Sequence, residues 1–305
     1  AEGEFVELLD PTLLTLRRVR SKRVKPSTDD KVLVGWNGLA IQAFAEAGSV
    51  MGETELVDAA VRAAEFVLAN LRRDDGRLLR SWREEKASGL GYLDDYALMA
   101  GACLTLYEST FDLRWFREAR TLADAMLQLF RDEERGGFFQ TGSDAEALVV
   151  RPKDLYDNAV PSGNSAAAHG LLRLAQFTGH HEYEQAGVSA LRVVHEGMRR
   201  APSGFGHALS ALDLYLDGGR EVAIVGDPES PETRALVGEV RRQFRPNLVL
   251  AVAAPGDAAA SEEIPLLRDR IAQDGRPTAY VCRRFACRLP VTTPEDLAAQ
   301  LASEA

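Results

Sequence analysis

The sequence has few of the features that mark secreted, membrane-spanning or nucleic-acid-binding proteins. It contains only three cysteines in 305 residues, Cys103, Cys282 and Cys287, which is too few for a disulfide framework. No apolar run approaches the roughly 20 residues that cross a bilayer, and no cationic start followed by an apolar stretch marks a leader. These shortages predict a soluble protein with no membrane partner, located in a reducing compartment such as the cytoplasm.

Positive charge is also scarce. The 36 Lys and Arg residues stand against 46 Asp and Glu residues, a net charge of -10, whereas nucleic-acid binding depends on clustered basic side chains. Nucleic acid is therefore not an expected partner. The one basic run, Arg17 to Lys25, is short, and we interpret it as a solvated connector in a polar lead-in. The opening Ala-Glu-Gly-Glu lacks an initiator Met, which indicates a trimmed chain or a fragment.

Motifs for metals, cofactors and activated nucleophiles are missing as well. The sequence has no HExxH, no paired CxxC, no nucleophile elbow and no phosphate loop, so we expect neither a metal nor a cofactor. Cys282 and Cys287 are separated by RRFA at the end of a predicted strand. Ordinary packing is the expectation for these two residues, and a disulfide or redox role is the alternative.

The sequence does contain a repeated helix hairpin. Three stretches, 36–79, 94–139 and 162–207, each begin with a charge-poor helix, such as YALMAGACLTLYEST, and continue through a tight turn into an amphipathic helix, such as DLRWFREARTLADAMLQLF. A helix with almost no charge on any face is buried on most sides, whereas a one-sided apolar stripe leaves a wet face. The first helix of each pair is therefore predicted to be inner and the second outer.

Alternating inner and outer helices build a solenoid or an α/α toroid. We predict a mainly α fold, with a partial toroid in residues 1–218, because three hairpins and a seventh helix near Phe205 to Leu216 make only part of a six-hairpin ring. Residues 219–305 change pattern to short β-branched runs such as EVAIVGD and NLVLAVA, separated by helical segments. They predict a small α/β appendage on a parallel sheet.

Polar and aromatic residues collect where the inner helices are predicted to begin. Because the inner helices of a toroid run parallel, their starts meet at one mouth, and helix N-termini suit hydroxyl-rich or anionic ligands. Carboxylates there supply acid/base groups, and aromatic faces stack on sugar rings, so a saccharide-like small molecule is the predicted ligand. The catalytic candidates are Asp29, Asp30, Asp94, Asp95 and Asp157, and the substrate-binding candidates are Trp36, Asn37, Arg80, Trp82, Tyr92, Tyr96, Lys153, Asp154, Ser162 and Asn164.

Many of these residues also have a structural interpretation. Asp, Asn and Ser are preferred N-caps, so Asp94, Ser162 and Asn37 fit capping as well as function. The DDK run that begins at Asp29 fits an ion-paired loop, and RLLRSWREEK fits a surface hairpin. Asp95 is harder to explain by capping, because one cap needs one carboxylate and a second one beside it adds repulsion.

Several segments, in order, make the sequence resemble one known family. DDKVLVGWNGLAIQA, GYLDDYALM, RPKDLYDNAVPSGNSAA, EVAIVGD and FACRLPVTTPEDL, with others from about Arg17 to the end, resemble the C-terminal half of the thioredoxin-domain-containing family that includes spermatogenesis-associated protein 20. The resemblance implies an N-terminal thioredoxin-like domain, then a toroid similar to six-hairpin glycosidases and N-acylglucosamine 2-epimerases, then a small α/β region. The sequence departs from that plan, since it contains neither the thioredoxin-like domain nor the first toroid hairpins.

Two functions follow from these patterns. The first is a carbohydrate-active, glycosidase-like enzyme whose acid/base pair joins Asp95 to Asp29, Asp30 or Asp157. Epimerase-like chemistry is less favoured. It needs paired acid/base groups, typically histidines, at the cavity, and the sequence has none at the inner-helix starts. The second is a non-catalytic binding or assembly module, in which the open edge of the partial toroid pairs with a second copy or with a complementing polypeptide.

Overall fold

The computed structural model describes residues 2–147 and 149–302, with side chains from Leu9 onward, and divides into two units. The first unit runs to Lys31 and contains helix α1 (Glu2–Ser21). Residues 17–21 of the basic run therefore belong to a helix, and the whole run from Arg17 to Lys25 is exposed, as expected for a solvated segment. Arg18 and Arg20 occupy the last turn of α1, where cations complement the partial negative charge of a helix end. Pro11 inside this helix interrupts the pattern that would have predicted it.

The second unit, residues 32–305, contains the three predicted hairpins. They are α2 (Val34–Met51) with α3 (Thr54–Asn70), α4 (Leu93–Thr110) with α5 (Leu113–Phe130), and α6 (Gly163–Thr178) with α7 (His181–Arg200); α8 (Gly206–Asp217) follows as the seventh helix of the repeat. Two residues join the helices of each pair. Connections this short make the two helices antiparallel neighbours.

Burial separates the inner helices from the outer ones as the charge pattern predicts. Helix α4 is buried along almost its whole length, whereas α5 buries one stripe, at Trp115, Phe116, Ala119, Leu122, Ala123, Met126 and Phe130. Helix α2 packs on α4, α4 on α6, and α6 on α8, so the inner helices lie side by side in chain order. The predicted fold class, mainly helical with a partial α/α toroid, is confirmed.

The inner helices run parallel to one another. Near the starts of α2 and α4, the backbone N–H of Gly35 donates to Asp95. Near their ends, the hydroxyl of Ser109 donates to the carbonyl of Ala45. Equivalent positions of the two helices therefore face each other along their length, which places the inner-helix starts at one end of the array.

Two small sheets accompany the helices. Strands β1 (Val32–Leu33), β2 (Leu79–Arg83) and β3 (Lys86–Leu90) form an antiparallel sheet in that order, so the segment RLLRSWREEK is a hairpin. The C-terminal region contains β4 (Arg220–Val225), α9 (Pro231–Arg241), β5 (Leu248–Ala253), α10 (Ala258–Glu263), β6 (Thr278–Arg283), β7 (Ala286–Cys287) and α11 (Pro294–Ala302).

The C-terminal sheet is mixed, so the prediction of a parallel sheet is wrong. Its strand order is β5-β4-β6-β7, with β4 and β5 parallel and the other two pairs antiparallel. Helix α9 is the crossover that allows β5 to run parallel to β4. Strand β6 follows a long irregular segment and pairs on the other side of β4, and the tight turn at Arg284 and Phe285 returns the chain antiparallel.

The two cysteines of this turn form a disulfide, contrary to the prediction of ordinary packing. Cys282 on β6 and Cys287 on β7 are directly opposed in the ladder, with Cα atoms 3.9 Å apart. A two-residue turn brings positions five apart in sequence opposite each other, and opposed side chains in a ladder are close enough to bond. Cys103 is a buried free thiol in α4.

The sheet and the helices share one core. The face of the sheet that carries Val249, Ala251 and Tyr280 joins the helical core, and the opposite face packs beneath α9 and α11. At the end of α4, the carboxylate of Glu108 accepts the N–H of Leu250 at 3.1 Å and pairs with Arg173 of α6. The division of the chain into domains at Gly218 stays a prediction.

The close approach of α2 and α4 yields a test of the hairpin packing. A Cβ atom at Gly38 would lie 2.8 Å from the carbonyl carbon and oxygen of Leu98, closer than real Cβ contacts allow. We expect Gly38→Ala to lower the free energy of unfolding by about 1 to 3 kcal/mol, because the two backbones must separate. Denaturant unfolding followed by circular dichroism measures this change.

Gly170 provides the matched control within an inner helix. It is buried in α6, but a Cβ there would meet nothing within 4 Å. Gly170→Ala is expected to leave stability unchanged or raise it by up to about 1 kcal/mol, since alanine favours the helix. Equal effects of the two substitutions would contradict the packing described for α2 and α4.

Candidate functional site

The starts of the first three inner helices touch one another. The N–H of Gly35 in α2 donates to Oδ1 of Asp95 in α4 at 2.9 Å. Gly163, the first residue of α6, abuts the start of α4, because a Cβ there would lie 3.1 Å from the backbone nitrogen of Asp94. The segments that the sequence analysis placed at one mouth are thus neighbours.

The carboxylate of Asp157 connects the start of α6 to the start of α8. One carboxylate oxygen accepts the N–H of Ser162 at 2.9 Å, and the other accepts the N–H groups of His207 and Ala208 at 2.8 and 3.1 Å. These contacts satisfy N–H groups that a helix start leaves without an intrahelical partner. They give Asp157 a structural position between α6 and α8.

Asp95 is the most enclosed carboxylate of the mouth, with a side chain only 2 % exposed. It accepts the N–H of Gly35, the N–H of Tyr92 at 2.9 Å and the guanidinium of Arg80 at 2.8 Å. Burial, and second the charge of Asp94, raise the pKa of Asp95 to about 6, against the lowering effect of Arg80 and the two N–H groups. Asp95 is therefore a buried junction that exchanges its proton near neutral pH.

Arg80 and Asp94 form the outer layer of the same cluster. The Arg80 guanidinium lies 3.3 Å from Asp94 and stacks 4.5 Å above the ring of Tyr92. The Asp94 side chain is 21 % exposed, so solvent and ligands can reach it. Because Arg80 belongs to β2, the small antiparallel sheet contributes directly to the mouth of the helical array.

The segment before α6 contributes a further carboxylate to the mouth, that of Asp154. Burial, and second the charge of Asp94, raise the pKa of Asp154, whereas the N–H of Gly163 lowers it. The Gly163 N–H that interacts with the Asp154 carboxylate belongs to the residue that abuts Asp94, so Asp154 and Asp94 lie in the same region of the mouth. We call Asp94, Asp95, Asp154 and Arg80 the acidic cluster.

Three of the predicted substrate-binding residues have structural partners elsewhere. Tyr96 is fully buried, and its hydroxyl accepts the N–H of Leu78 at 2.8 Å. Trp82 packs edge-on against Phe66 of α3, with ring centroids 5.7 Å apart. The third, Lys153, forms an ion pair of 2.7 Å with a carboxylate outside the acidic cluster, that of Asp132.

Of the three residues for which capping was considered, only Ser162 caps a helix. Asn37 and Asp94 lie inside α2 and α4, whose N-cap residues are Leu33 and Tyr92, so capping is wrong for both. Ser162 accepts the N–H of Ser165 and so caps α6. Buried Asn164 exchanges two hydrogen bonds with the backbone of Phe138, and Asn37 donates to a carbonyl one turn before it. Trp36 differs from them, because its side chain is 62 % exposed at the start of α2.

Asp29 and Asp30 belong to the first unit. Asp29 pairs with Lys31 at 3.2 Å and accepts its backbone N–H. The ion-paired loop considered in the sequence analysis is the local arrangement of Asp29.

The sequence analysis did not predict a pair of histidines that the structure brings together. His169 of α6 and His207 of α8 form an edge-to-face contact with ring centroids 5.1 Å apart. Burial lowers the pKa of His169 to about 3, with further lowering from Arg173 and His207, and burial also lowers the pKa of His207. Residues 38 apart in sequence meet only because α6 and α8 are adjacent.

The larger of two described cavities lies at the other end of the inner helices. It has a volume of about 250 Å³ and is lined by the ends of α6 and α8, at Gly179 and Gly218, together with Glu221 and Phe285.

Within residues 2–147 and 149–302, no group of three or more His, Cys, Asp or Glu side chains is arranged to hold a metal ion. The same described residues include no helix that combines the length and apolarity needed to cross a membrane.

Parallel inner helices with an acidic cluster at their starts define a partial α/α toroid with an acidic mouth. No protein-family model matches the sequence. Spermatogenesis-associated protein 20 of Homo sapiens is 35 % identical over 302 residues and that of Rattus norvegicus 35 % over 305 residues. An uncharacterized protein of Caenorhabditis elegans is 27 % identical over 304 residues, which cover 97 % of this chain and 41 % of that protein.

The chain is thus related in sequence to spermatogenesis-associated protein 20 over 95 % of its length, and the predicted resemblance is confirmed. It spans 38 % of the length of these mammalian relatives. The thioredoxin-like domain that the resemblance implies is not among the described residues.

Solved structures resemble the chain more distantly. An inactive variant of an α-1,6-mannanase of Salegentibacter, in complex with α-1,6-mannotriose, is 14 % identical, with a TM-score of 0.48, over 69 % of this chain and 62 % of that one. Unsaturated glucuronyl hydrolase from Bacillus sp. GL1 is 15 % identical, with a TM-score of 0.45, over 58 % and 50 %. Cellobiose 2-epimerase from Bacillus thermoamylovorans is 11 % identical, with a TM-score of 0.45, over 55 % and 46 %.

The raised pKa of Asp95 predicts a pH-dependent contribution to stability. The folded protein holds this proton up to about pH 6, whereas the unfolded chain releases it near pH 4. The stabilising contribution is complete below about pH 4 and is lost as the pH rises through about 6. In Asp95→Asn the group cannot ionise. We therefore expect the destabilisation caused by Asp95→Asn to shrink by roughly 1 to 3 kcal/mol between pH 4 and pH 7.

Urea unfolding at a series of pH values measures this difference. Asp58→Asn, at an exposed position of α3, is the control and should show a constant difference from the unmodified protein. A constant difference for Asp95→Asn as well would contradict the buried, proton-exchanging state of Asp95.

Proposed function

We propose that the acidic cluster binds a saccharide-like small molecule and performs glycosidase-like acid/base chemistry on it. The observation that supports this most directly is the meeting of the starts of α4 and α6 at Gly163, where a Cβ would lie 3.1 Å from the backbone nitrogen of Asp94 and where the N–H interacts with the Asp154 carboxylate. Burial, and second the charge of Asp94, raise the pKa of Asp154. Two carboxyl groups in unequal environments are the usual basis of acid/base division in glycoside hydrolysis.

The roles follow from the two environments. Asp154, with its raised pKa, holds a proton to higher pH and donates it to the leaving glycosidic oxygen. Asp94, paired with Arg80, serves as the carboxylate that activates water or stabilises the developing positive charge of the sugar. Asp95 acts as a positioning residue, because it holds the Arg80 guanidinium against Asp94 from behind.

The surroundings of the cluster suit a sugar. Trp36 exposes its ring at the start of α2, which is the kind of face on which a sugar ring stacks. The adjoining helix starts offer partial positive charge to hydroxyl or carboxylate groups of a ligand. This proposal assigns the protein to carbohydrate metabolism.

Substitution of the two carboxylates tests the proposal. The unmodified chain is incubated with a panel of neutral and uronic-acid oligosaccharides, and products are followed by proton NMR, which detects both hydrolysis and epimerisation. On any sugar that is converted, we expect Asp94→Asn and Asp154→Asn each to lower the turnover rate by about 100-fold or more, because a positioned acid or base contributes that much. Asp58→Asn is the matched control and should retain full turnover.

Two results would overturn the enzyme proposal. One is a panel on which the unmodified chain neither binds nor converts any sugar. The other is full turnover by both carboxylate variants. Epimerised rather than hydrolysed products would transfer the chemistry to an epimerase-like reaction.

A second candidate function, supported by a different observation, is assembly with another polypeptide. Helix α2 carries almost no charge, yet Trp36, Phe44, Val50 and Met51 are exposed on it. Exposed apolar side chains on an inner helix are expected where a further polypeptide covers the open edge of the toroid. This interpretation makes the chain a binding module in which the partial toroid pairs with a second copy or a complementing polypeptide.

Light scattering tests the assembly candidate for self-association. If α2 pairs with a second copy, the chain is a dimer at micromolar concentration, and Phe44→Asp shifts it to monomer because a buried unpaired carboxylate opposes association. Leu216→Asp, at an exposed apolar position of α8, is the control and should leave the dimer intact. A monomer in the unmodified chain would count against self-pairing.

A further inference from the structure

The disulfide between Cys282 and Cys287 sits at an edge of the C-terminal sheet. Strand β7 has only two residues, which pair as Cys282 with Cys287 and Arg283 with Ala286. Cys282 is 2 % exposed, whereas Cys287 is only partly buried. An incoming thiol therefore reaches Cys287 and not Cys282.

A guanidinium group lies against both sulfur atoms. Nη2 of Arg270 is 2.8 Å from Sγ of Cys287 and 3.7 Å from Sγ of Cys282. The same group stacks 5.0 Å from the ring centre of Tyr280. A cation in contact with a sulfur stabilises the thiolate that leaves when a disulfide is opened, and it makes the reduced thiol more reactive at neutral pH.

Further ionisable groups lie near this site, and Arg220, Arg283 and Arg288 line a second cavity together with Cys282. Glu221 on β4 is the ladder partner of Cys282, and its charge interacts with Arg270. Burial raises the pKa of Glu221, which reduces the negative charge beside the sulfurs, whereas N–H groups of Phe285 and Arg284 and the charge of Arg270 oppose that shift. Arg270 is thus the charged side chain in direct contact with the disulfide.

We propose that Cys282–Cys287 is a thiol–disulfide exchange site at which a dithiol reductant attacks Sγ of Cys287. The attacking thiolate forms a bond to Cys287, and the bond between the cysteines breaks with Cys282 leaving as a thiolate beside Arg270. The second thiol of the reductant then attacks its own mixed disulfide and releases Cys287. The reductant is oxidised to a disulfide, and the two cysteines gain its two electrons and two protons. This inference does not depend on the proposed saccharide chemistry.

Reduction has a structural consequence at the cavity of about 250 Å³ described above. The turn residues Arg284 and Phe285 both line that cavity, and the Phe285 ring packs on Gly179 at the end of α6. With the disulfide open, the backbone pairs of β6 and β7 and the hydrogen bond from the Phe285 N–H to Glu221 at 2.8 Å remain, and only the covalent link across the turn is lost. The exchange site therefore adds or removes one covalent tie beside a wall of the cavity.

The test measures reactivity of the folded chain. The protein is reduced with dithiothreitol without denaturant, excess reductant is removed, and iodoacetamide labelling of each cysteine is followed by peptide mass spectrometry from pH 5 to 9. We expect Cys287 to label at pH 7 at least about tenfold faster than in Arg270→Gln, in which the pH midpoint of labelling moves upward. Arg270→Lys keeps the positive charge and should restore much of the rate.

Two internal references make the result decisive. Arg276→Gln, which neutralises an exposed arginine six residues away, should label like the unmodified chain. Burial raises the pKa of the Cys103 thiol, so Cys103 should stay unlabelled as long as the fold is intact. Failure of dithiothreitol to reduce the folded chain, or identical pH profiles for the unmodified chain and Arg270→Gln, would overturn the proposal.

Discussion

The carboxylate of Asp95 is the contact on which the arrangement of the mouth depends. It accepts N–H groups from the start of α2 and from the residue before α4, and it holds the guanidinium that β2 carries. One side chain thus joins two inner helices and the small antiparallel sheet. Since the carboxylate is buried, losing any of these donors would leave charge without compensation, which strongly favours keeping all three together.

Two adjacent aspartates acquire different properties because successive residues of a helix point about 100° apart. Asp95 points inward to its three donors, while Asp94 is partly exposed and pairs with Arg80. The inner carboxylate fixes geometry, and the outer one is accessible to a ligand. A pair of like charges at a helix start is tolerable here because Arg80 contacts both.

The amount that could be predicted from sequence differs between the helices and the site. Charge-poor segments predicted inner helices because burial excludes unpaired charge from every face, and that constraint is local. The direction in which Tyr96 or Lys153 points is not set locally. Tyr96 accepts the N–H of Leu78, the residue before β2, and Lys153 pairs with Asp132 across a loop. Polar residue types identified the region, but only packing shows which of them serve as caps.

The errors in the C-terminal region have a similar origin. Short β-branched runs predicted strands correctly, but strand direction depends on the connection, and the segment before β6 is not a helical crossover. The spacing of Cys282 and Cys287 by RRFA fits a disulfide only once the tight turn at Arg284 and Phe285 is known. The histidine pair likewise needed the adjacency of α6 and α8.

Helix α4 carries buried carboxylates near both of its ends. The one near its C-terminal end, that of Glu108, connects the helices to the C-terminal sheet. Glu108 is held by Arg173 of α6 and by the Leu250 N–H of β5, and burial raises its pKa. A truncated protein that stops before the sheet would strip this acid of its strand donor and uncover the apolar side of the helices that the sheet shields. The helical array and the sheet share a core, and engineering of either part has to preserve the Glu108 contacts that join them.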